Sequence, residues 1–332
     1  MDLTAYFPAR RQHGLITWRQ LHDAGMQPAE IQHLVRDRSL VRIRRGIYTA
    51  RETWDGADEF RARPLLRLHA ARLTIGKEHV LSHDSAALLL GLGLPDPRTA
   101  LVHVTRPRVL GARHETGIKH HRAAYAETDV VEIEGVRLLG PARTACDMAR
   151  EHGSTHGTAA CSAALRMGVT KSELHDVAAR MHYWRGVTQV RRAIDLATPW
   201  AESYLEGLAL DLIADLGLGR PEPQFGLGDG MRTAYADFRI GRHLFECEGK
   251  EKLSYVDDPL SPADRAWEQK KRYDFLTGFK LGLSRIVMHD CLEGRDAALR
   301  RLSREYADTQ ARFGDDISDL TAYRMQRRRP TG

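Results

Sequence analysis

The stretch that decides the fold is Tyr235–Lys252, YADFRIGRHLFECEGKEK. It reads as two strands joined at Gly241, with Asp237 near the end of the first and Leu244 to Glu248 forming the second. Side chains alternate between the faces of a strand, so Glu246 and Glu248 are expected on one face and Phe245 and Cys247 on the other. Two carboxylates on one face, joined by Asp237 from the neighbouring strand, repel one another, and a half-buried cluster of that kind calls for a cation. Oxygen ligands favour Mg²⁺, Mn²⁺ or Ca²⁺. Lys250, just past Gly249, sets an ammonium beside the acids, where it can stabilise charge developing on a phosphate. A solvated hairpin is the plainer alternative, because edge strands carry charge that blocks sheet-to-sheet pairing. The apolar lead-in of Leu244 and Phe245 ahead of the acid pair weighs against it.

The flanks extend the pattern. Pro199 breaks a preceding helix, and Glu202 to Leu216 is helical in spacing with Leu205, Leu208, Leu212 and Ile213 facing inward. Strands are predicted at 224–227 and 233–240, a helix at Trp267–Gly278 carrying Glu268, Lys270, Lys271 and Arg272, and a last strand at Leu281–Met288. Helix, three strands, helix, strand is a mixed α/β order. Glu268 and Arg272 lie one helical turn apart, so a salt bridge between them accounts for both. Equally, the cations of this helix suit a phosphate backbone.

Several of these residues together resemble the Vsr-like branch of the PD-(D/E)XK, restriction-endonuclease-like fold, over residues 200–295. They are Glu202-Ser203 with Glu206, Pro221-Glu222-Pro223-Gln224, Asp237, Glu246-Cys247-Glu248-Gly249, Lys252, and Trp267-Glu268 through Arg272 and Asp274. The resemblance implies a site of Asp237, Glu246, Glu248, Lys250 and Glu202, with the first three holding Mg²⁺ or Mn²⁺. Glu248 and Lys250 are alternatives for the third catalytic position. Lys252, Lys271 and Arg272 would meet DNA.

Residues 1–56 read as a small helical domain with a hairpin. Thr17-Trp18-Arg19-Gln20 is a capping-box pattern, Gly25 stops the helix, and Pro28 opens a second helix with Ile31, Leu34 and Val35 as its buried stripe. After Ser39, Leu40, Arg42 and Arg44 alternate with Val41, Ile43 and Arg45. Helix, turn, helix and basic hairpin is the layout of a winged helix. In that layout Gln32, His33, Arg36 and Arg38 face a groove of DNA while Arg42, Arg44 and Arg45 touch phosphates. A packing or dimerisation unit has the same outline. Gly14 to Ala50 resembles the N-terminal domain of AbiEi-type antitoxins, which implies a repressor. Gln27 stands where that family's recognition helix begins with Ser or Thr.

Between them lies a mixed α/β region, 57–198, with helices at Arg61–Leu73 and from Val80, strands at 101–105, 117–121 and 130–139, and helices from Pro141 to Ile194. Ser82-His83 with Ser85-Ala86-Ala87, and Pro141 through Asp147, resemble the middle region of the same antitoxin-like proteins. His83, His103, His120 and His121 match no zinc spacing, and hydrogen-bonded core or surface histidines are the expected reading. The nuclease-like domain spans 199–295, and 296–332 is a helical, basic tail ending in Arg324 and Arg327-Arg328-Arg329.

Length, composition and charge set the frame. A chain of 332 residues holds two or three domains, and 42% hydrophobic content supplies their cores. A net charge of +6 suits a polyanionic partner. Four scattered cysteines without a CxxC read as reduced thiols. With no signal peptide and no long apolar run, the expectation is a cytoplasmic protein without a membrane partner. The overall expectation is a multi-domain α/β protein that binds double-stranded DNA and cuts it with a divalent metal. The alternative is a non-cutting repressor with a cognate toxin, possible also as a homodimer on a palindromic operator. A protein-interaction antitoxin without DNA contact is a third reading.

Overall fold

Leu15–Thr17 (β1) runs into Trp18–Asp23 (α1), and the predicted capping box closes the junction. Thr17 Oγ1 accepts the Gln20 N–H at 3.1 Å, and Gln20 Oε1 accepts the Thr17 N–H at 2.8 Å. Such a cap contributes about 1 kcal/mol. Pro28–Arg36 (α2) starts without a side-chain cap from Gln27; instead Glu30 Oε2 accepts the Gln27 N–H at 2.6 Å. Leu40–Arg44 (β2) and Ile47–Ala50 (β3) pair antiparallel, and β1 joins to give the order β1-β3-β2. The alternation expected along β2 fails past Arg42, because the register shifts between Arg42 and Arg44. A bulge re-aims the side chains that follow it. Ile16, Leu21, Ile31, Leu34, Leu40 and Tyr48 pack as the core under these elements.

The structure is a computed structural model describing residues 12–76, 78–107, 113–249 and 261–326. The chain divides into two compact units, Met1–Thr144 and Ala145–Gly332. In the first, Arg51–Gly56 (α3) and Ala62–Arg72 (α4) follow the wing, and Leu15 and Ile47 pack on Leu66 and Ala70 of α4. A six-stranded sheet comes next. Val80–Leu81 (β4) is a strand where helix was expected, because these apolar residues pair with both neighbouring strands; the helix, His83–Leu90 (α5), starts only after Ser82. Val102–Arg106 (β5), Arg113–Glu115 (β6), Ile118–Arg122 (β7), Val130–Ile133 (β8) and Val136–Leu139 (β9) complete the order β6-β7-β5-β4-β9-β8.

Pro141–Arg166 (α6) spans the division and is broken at Gly153, whose φ of 84° no helix accommodates. In the second unit, Lys171–Arg180 (α7), Val187–Leu196 (α8) and Tyr204–Ala214 (α9) follow. The helices after residue 144 belong with α9: a Cβ at Gly207 of α9 would lie 2.4 Å from the Ala159 Cα of α6, so the two backbones nearly touch. The expected 57–198 region therefore contributes to both units. Glu222–Gly228 (β10), Thr233–Ile240 (β11) and His243–Cys247 (β12) form an antiparallel run. Pro262–Thr277 (α10) crosses over to Gly282–Ile286 (β13), parallel to β12. The order helix, three strands, helix, strand is the one expected. Met288–Cys291 (α11) and Arg295–Phe313 (α12) come next, and the tail does not simply trail off: Arg324–Met325 (β14) pairs with β10, closing the order β13-β12-β11-β10-β14. Phe238, Phe245 and Ile286 face a core with α9 and α12, while Leu244 and Leu281 pack with Leu276 of α10. The fold is thus mixed α/β, with three mixed or antiparallel sheets among the described residues.

Candidate functional site

Two surfaces in the separate units carry the residues singled out by sequence. In the first, the outer face of α2 exposes Gln32, His33 and Arg36, and Arg38 follows, exposed, in the left-handed region. Arg42 and Arg45 of the wing are exposed as well. Between α2 and the wing runs a shallow groove lined by Trp18, Gln32, Val35, Arg36, Arg42 and Tyr48. Polar and cationic tips over an apolar floor suit a duplex: cations for phosphates, Gln32 for a base edge. Arg44 stands apart. Its Nη1 donates to the Thr116 carbonyl at 2.8 Å, so the bulge turns this arginine onto the β6–β7 turn, where it braces the wing.

In the second unit, the register that pairs Phe238 with Phe245 sets Asp237 and Glu246 at neighbouring positions of β11 and β12. They are 8% and 2% exposed. Asp237 Oδ2 accepts the Cys247 N–H at 2.7 Å, and Arg272 of α10 donates to Glu246 Oε2. The helical salt bridge expected between Glu268 and Arg272 is not made; Glu268 pairs with Lys271 at 2.8 Å, leaving Arg272 to reach across to the strand. Burial works against the Arg272 charge, but the Glu246 carboxylate more than offsets it and the guanidinium pKa is raised. Its Nε is a buried donor with no partner among the described residues.

Glu248 lies one residue beyond β12. Its carboxylate accepts from the Tyr273 hydroxyl at 2.9 Å and from Gln269 Nε2 at 3.1 Å, with Arg285 Nε 3.2 Å away. A ligand role for Glu248 requires these donors to let go. Glu202 is exposed and precedes α9, because Ser203 caps the helix one residue later than the acid; its N–H donates to Glu206 at 2.7 Å. Glu206 is the acid that faces inward, at 3% exposure. Burial drives the Cys247 thiol pKa well above its ordinary value, and the charges of Asp237, Glu206 and Glu246 add to it, so these acids converge around that cysteine. The Ser203-x-x-Glu206 spacing, a capping pattern, was the available signal for Glu206. Tyr273, whose hydroxyl donates to Glu248, was not foreseen either.

Beside Arg272 opens a cleft of about 440 Å³ lined by Arg232, Thr233, Glu268, Lys271 and Phe275. Trp267 of α10 is exposed, with the ammonium groups of Lys270 and Lys271 each 5.6 Å from the ring. Lys250, Lys252 and Arg327-Arg328-Arg329 lie outside the described residues. Among the described residues no three acids bring ligand oxygens within 4.8 Å of one another; the group that meets that distance is His83, His103 and His121. His120, the fourth histidine of the expected set, does not join it. Asp237 and Glu246 are the acids of the expected ligand set that the structure buries side by side.

Comparison with known proteins bears on the first surface. Residues 8–50 match the family described as "Transcriptional regulator, AbiEi antitoxin". The N-terminal domain is accordingly a transcriptional-regulator domain of the AbiEi antitoxin kind. Two uncharacterized proteins of Mycobacterium tuberculosis, one from each of two strains, are 30% identical over 207 residues, which is 61% of this chain and 71% of each relative. No helix among the described residues is long and apolar enough to cross a membrane.

Proposed function

For a chain that belongs to the same family as these two mycobacterial proteins, we propose the work of a DNA-binding transcriptional regulator of the AbiEi antitoxin type, with α2 and the β2–β3 wing as its DNA-reading surface. The observation that carries the reading is the groove between α2 and the wing, rimmed by exposed Gln32, Arg36 and Arg42 within the segment that matches the regulator family. Arg36, Arg38, Arg42 and Arg45 hold phosphates; Gln32 and His33 reach base edges. A cognate toxin is the implied protein partner, and a homodimer on a palindromic operator the implied assembly.

The test is fluorescence anisotropy with duplex pools enriched by the protein itself. Replacing Arg42 and Arg45 by Glu should weaken binding and lower the slope of log affinity against log salt by about 2, since each phosphate contact contributes roughly 0.9. Replacing Arg44 should act through stability of the wing instead. Undiminished binding by the Arg42→Glu, Arg45→Glu protein would discard this surface.

A second reading rests on the second unit: a divalent-metal-dependent DNA endonuclease site on a PD-(D/E)XK-type core. It is favoured by the buried Asp237 and Glu246 side by side, with the unmatched Arg272 Nε next to a cationic cleft. Asp237 and Glu246 would hold Mg²⁺ or Mn²⁺, which supplies Lewis acidity and an activated water. Arg272 would orient Glu246, and Lys271 and Arg232 would steady the phosphate backbone along the cleft. Glu206 keeps the first turn of α9 in place. Supercoiled plasmid incubated with Mg²⁺, Mn²⁺ or EDTA reads this out. Nicking that needs metal and is lost in Asp237→Asn and Glu246→Gln supports cutting; intact plasmid with undiminished retardation leaves the regulator alone.

A further inference from the structure

We propose that His83, His103 and His121 form a binding site for one divalent transition-metal ion of the zinc class, in the six-stranded sheet of the first unit. The three side chains come from separate segments that the fold makes adjacent. His103 is on β5 and His121 on β7, parallel neighbours in which Thr105 is registered with His121 and His103 with Lys119. Both histidines therefore lie on one face of the sheet, alternating with Val102, Val104 and Ile118, which enter the apolar core. His83 opens α5 immediately after β4, which flanks β5 on its other side. A ligand nitrogen from each falls within 4.8 Å of the others. His83 and His103 are 3% and 2% exposed, and His121 is half-buried, so one side of the group remains open to solvent.

The local scaffold is rigid and polar in the places a metal site needs. The Ser82 N–H donates to the His103 carbonyl at 3.1 Å, and the Ser85 hydroxyl accepts the His103 N–H at 2.8 Å. Thr105 Oγ1 donates to Ser82 Oγ at 2.8 Å, and that hydroxyl lies 3.0 Å from His83 Nδ1. Nδ1 of His83 is thus held by the Ser82 hydroxyl. His103 turns Nδ1 toward His121 and Nε2 toward Asp84, whose Oδ2 is 3.9 Å away. A carboxylate at that distance favours a cation beside the imidazole through its charge. His83 holds a φ of 47°, a conformation that strains a Cβ-bearing residue and clusters at sites with a task.

The distances suit a tetrahedral ion. Two imidazole nitrogens bound to one Zn²⁺ lie about 3.3 to 3.4 Å apart. His121 Nε2 and His103 Nδ1 are already 3.1 Å apart, a separation at which they share either a proton or a cation. The His83 and His121 rings are stacked, 3.7 Å between centroids, and must turn out of parallel to point their lone pairs at one ion. Imidazole ligands select zinc-class ions over Mg²⁺ and Ca²⁺, and three protein ligands leave a fourth position for water. Such an ion ties the β4–α5 junction to β5 and β7. It stands independently of DNA cutting, which concerns the other unit.

The experiment uses the full chain, stripped with EDTA and titrated with Zn²⁺ against a chromophoric chelator, alongside His121→Gln and His83→Gln. Co²⁺ substitution gives a second readout through the visible bands of a tetrahedral site. Loss of an outer-shell partner alone weakens metal binding 10- to 100-fold, so loss of a ligand should weaken it by at least about 100-fold. The expected result is one tightly bound equivalent in the wild type, with that loss in both variants and no cobalt bands. Circular dichroism checks that each variant is folded, and His121, the most exposed ligand, is the substitution least able to disturb the core. Failure of the wild type to bind one equivalent, or unchanged affinity in the folded His121→Gln protein, overturns the site.

Discussion

His243 shows how a single buried side chain sets an acid limit on stability. It is sealed under β13 and α12, with Nδ1 2.7 Å from Thr309 Oγ1 and Nε2 2.8 Å from Ser284 Oγ. Burial pushes its pKa down to about 4, only partly countered by Glu305. The unfolded chain titrates near 6.5, so between pH 6.5 and 4 the unfolded state binds a proton that the folded state refuses. Stability from this residue is complete above pH 6.5 and declines as the pH falls, by about 2 kcal/mol at pH 5. Urea midpoints at pH 7.5 and 5 for wild type and His243→Gln isolate it: the wild type should lose more on acidification, and parallel losses would refute the argument. The same scale shows what a sequence displays and hides. The shared face of Glu246 and Glu248 was legible because strand periodicity is local. The preference for Glu206 over Glu202 was missed because moving the cap to Ser203 shifts the helix start, and the start decides which acid turns inward. The pairing of Arg272 with Glu246 rather than with Glu268 depends on where α10 lies on the sheet, which no spacing rule contains.

Among elements, α9 and α6 pack in close contact. Gly207 has no side chain, and a Cβ there would also meet the Ala159 Cβ at 2.8 Å. In an exposed helix, Gly→Ala stabilises by about 1 kcal/mol. Here the clash is with backbone, which cannot swing aside, and overpacking of this sort costs about 1 to 3 kcal/mol. Gly207→Ala should therefore lower stability by about 1 kcal/mol or more in urea denaturation; a more stable variant would show that the helices stand further apart. The β2 bulge is the converse lesson. The winged-helix outline was readable from Thr17, Gly25 and Pro28, since caps and stops act within a turn. The bulge was not, because it depends on how β2 aligns with β3, and with it went the role of Arg44. The histidine group was illegible for a related reason: residues 83, 103 and 121 meet only because β5 and β7 are parallel neighbours beside β4.

Over the whole molecule, the thiols report on folding. Cys146, Cys161, Cys247 and Cys291 are all free and buried, and burial pushes Cys161 and Cys291 up to about 12. A thiol that is both covered and protonated does not attack a disulfide reagent. The native protein should give no rapid reaction with a chromogenic disulfide, and all four thiols should react in denaturant. Prompt reaction of even one in the native state would mean that its unit opens readily. Another feature acts on the timing of synthesis. The strand Arg324–Met325 pairs with Leu227 and Gly226. The first unit is complete at Thr144, about 180 residues earlier, and at 5 to 20 residues per second the interval is roughly 10 to 40 s. For that time a growing chain carries a finished winged helix while the second sheet still has an unclosed edge. The amino-terminal unit is therefore born first, and the edge strand β10 waits in solvent until the last strand of the described residues emerges.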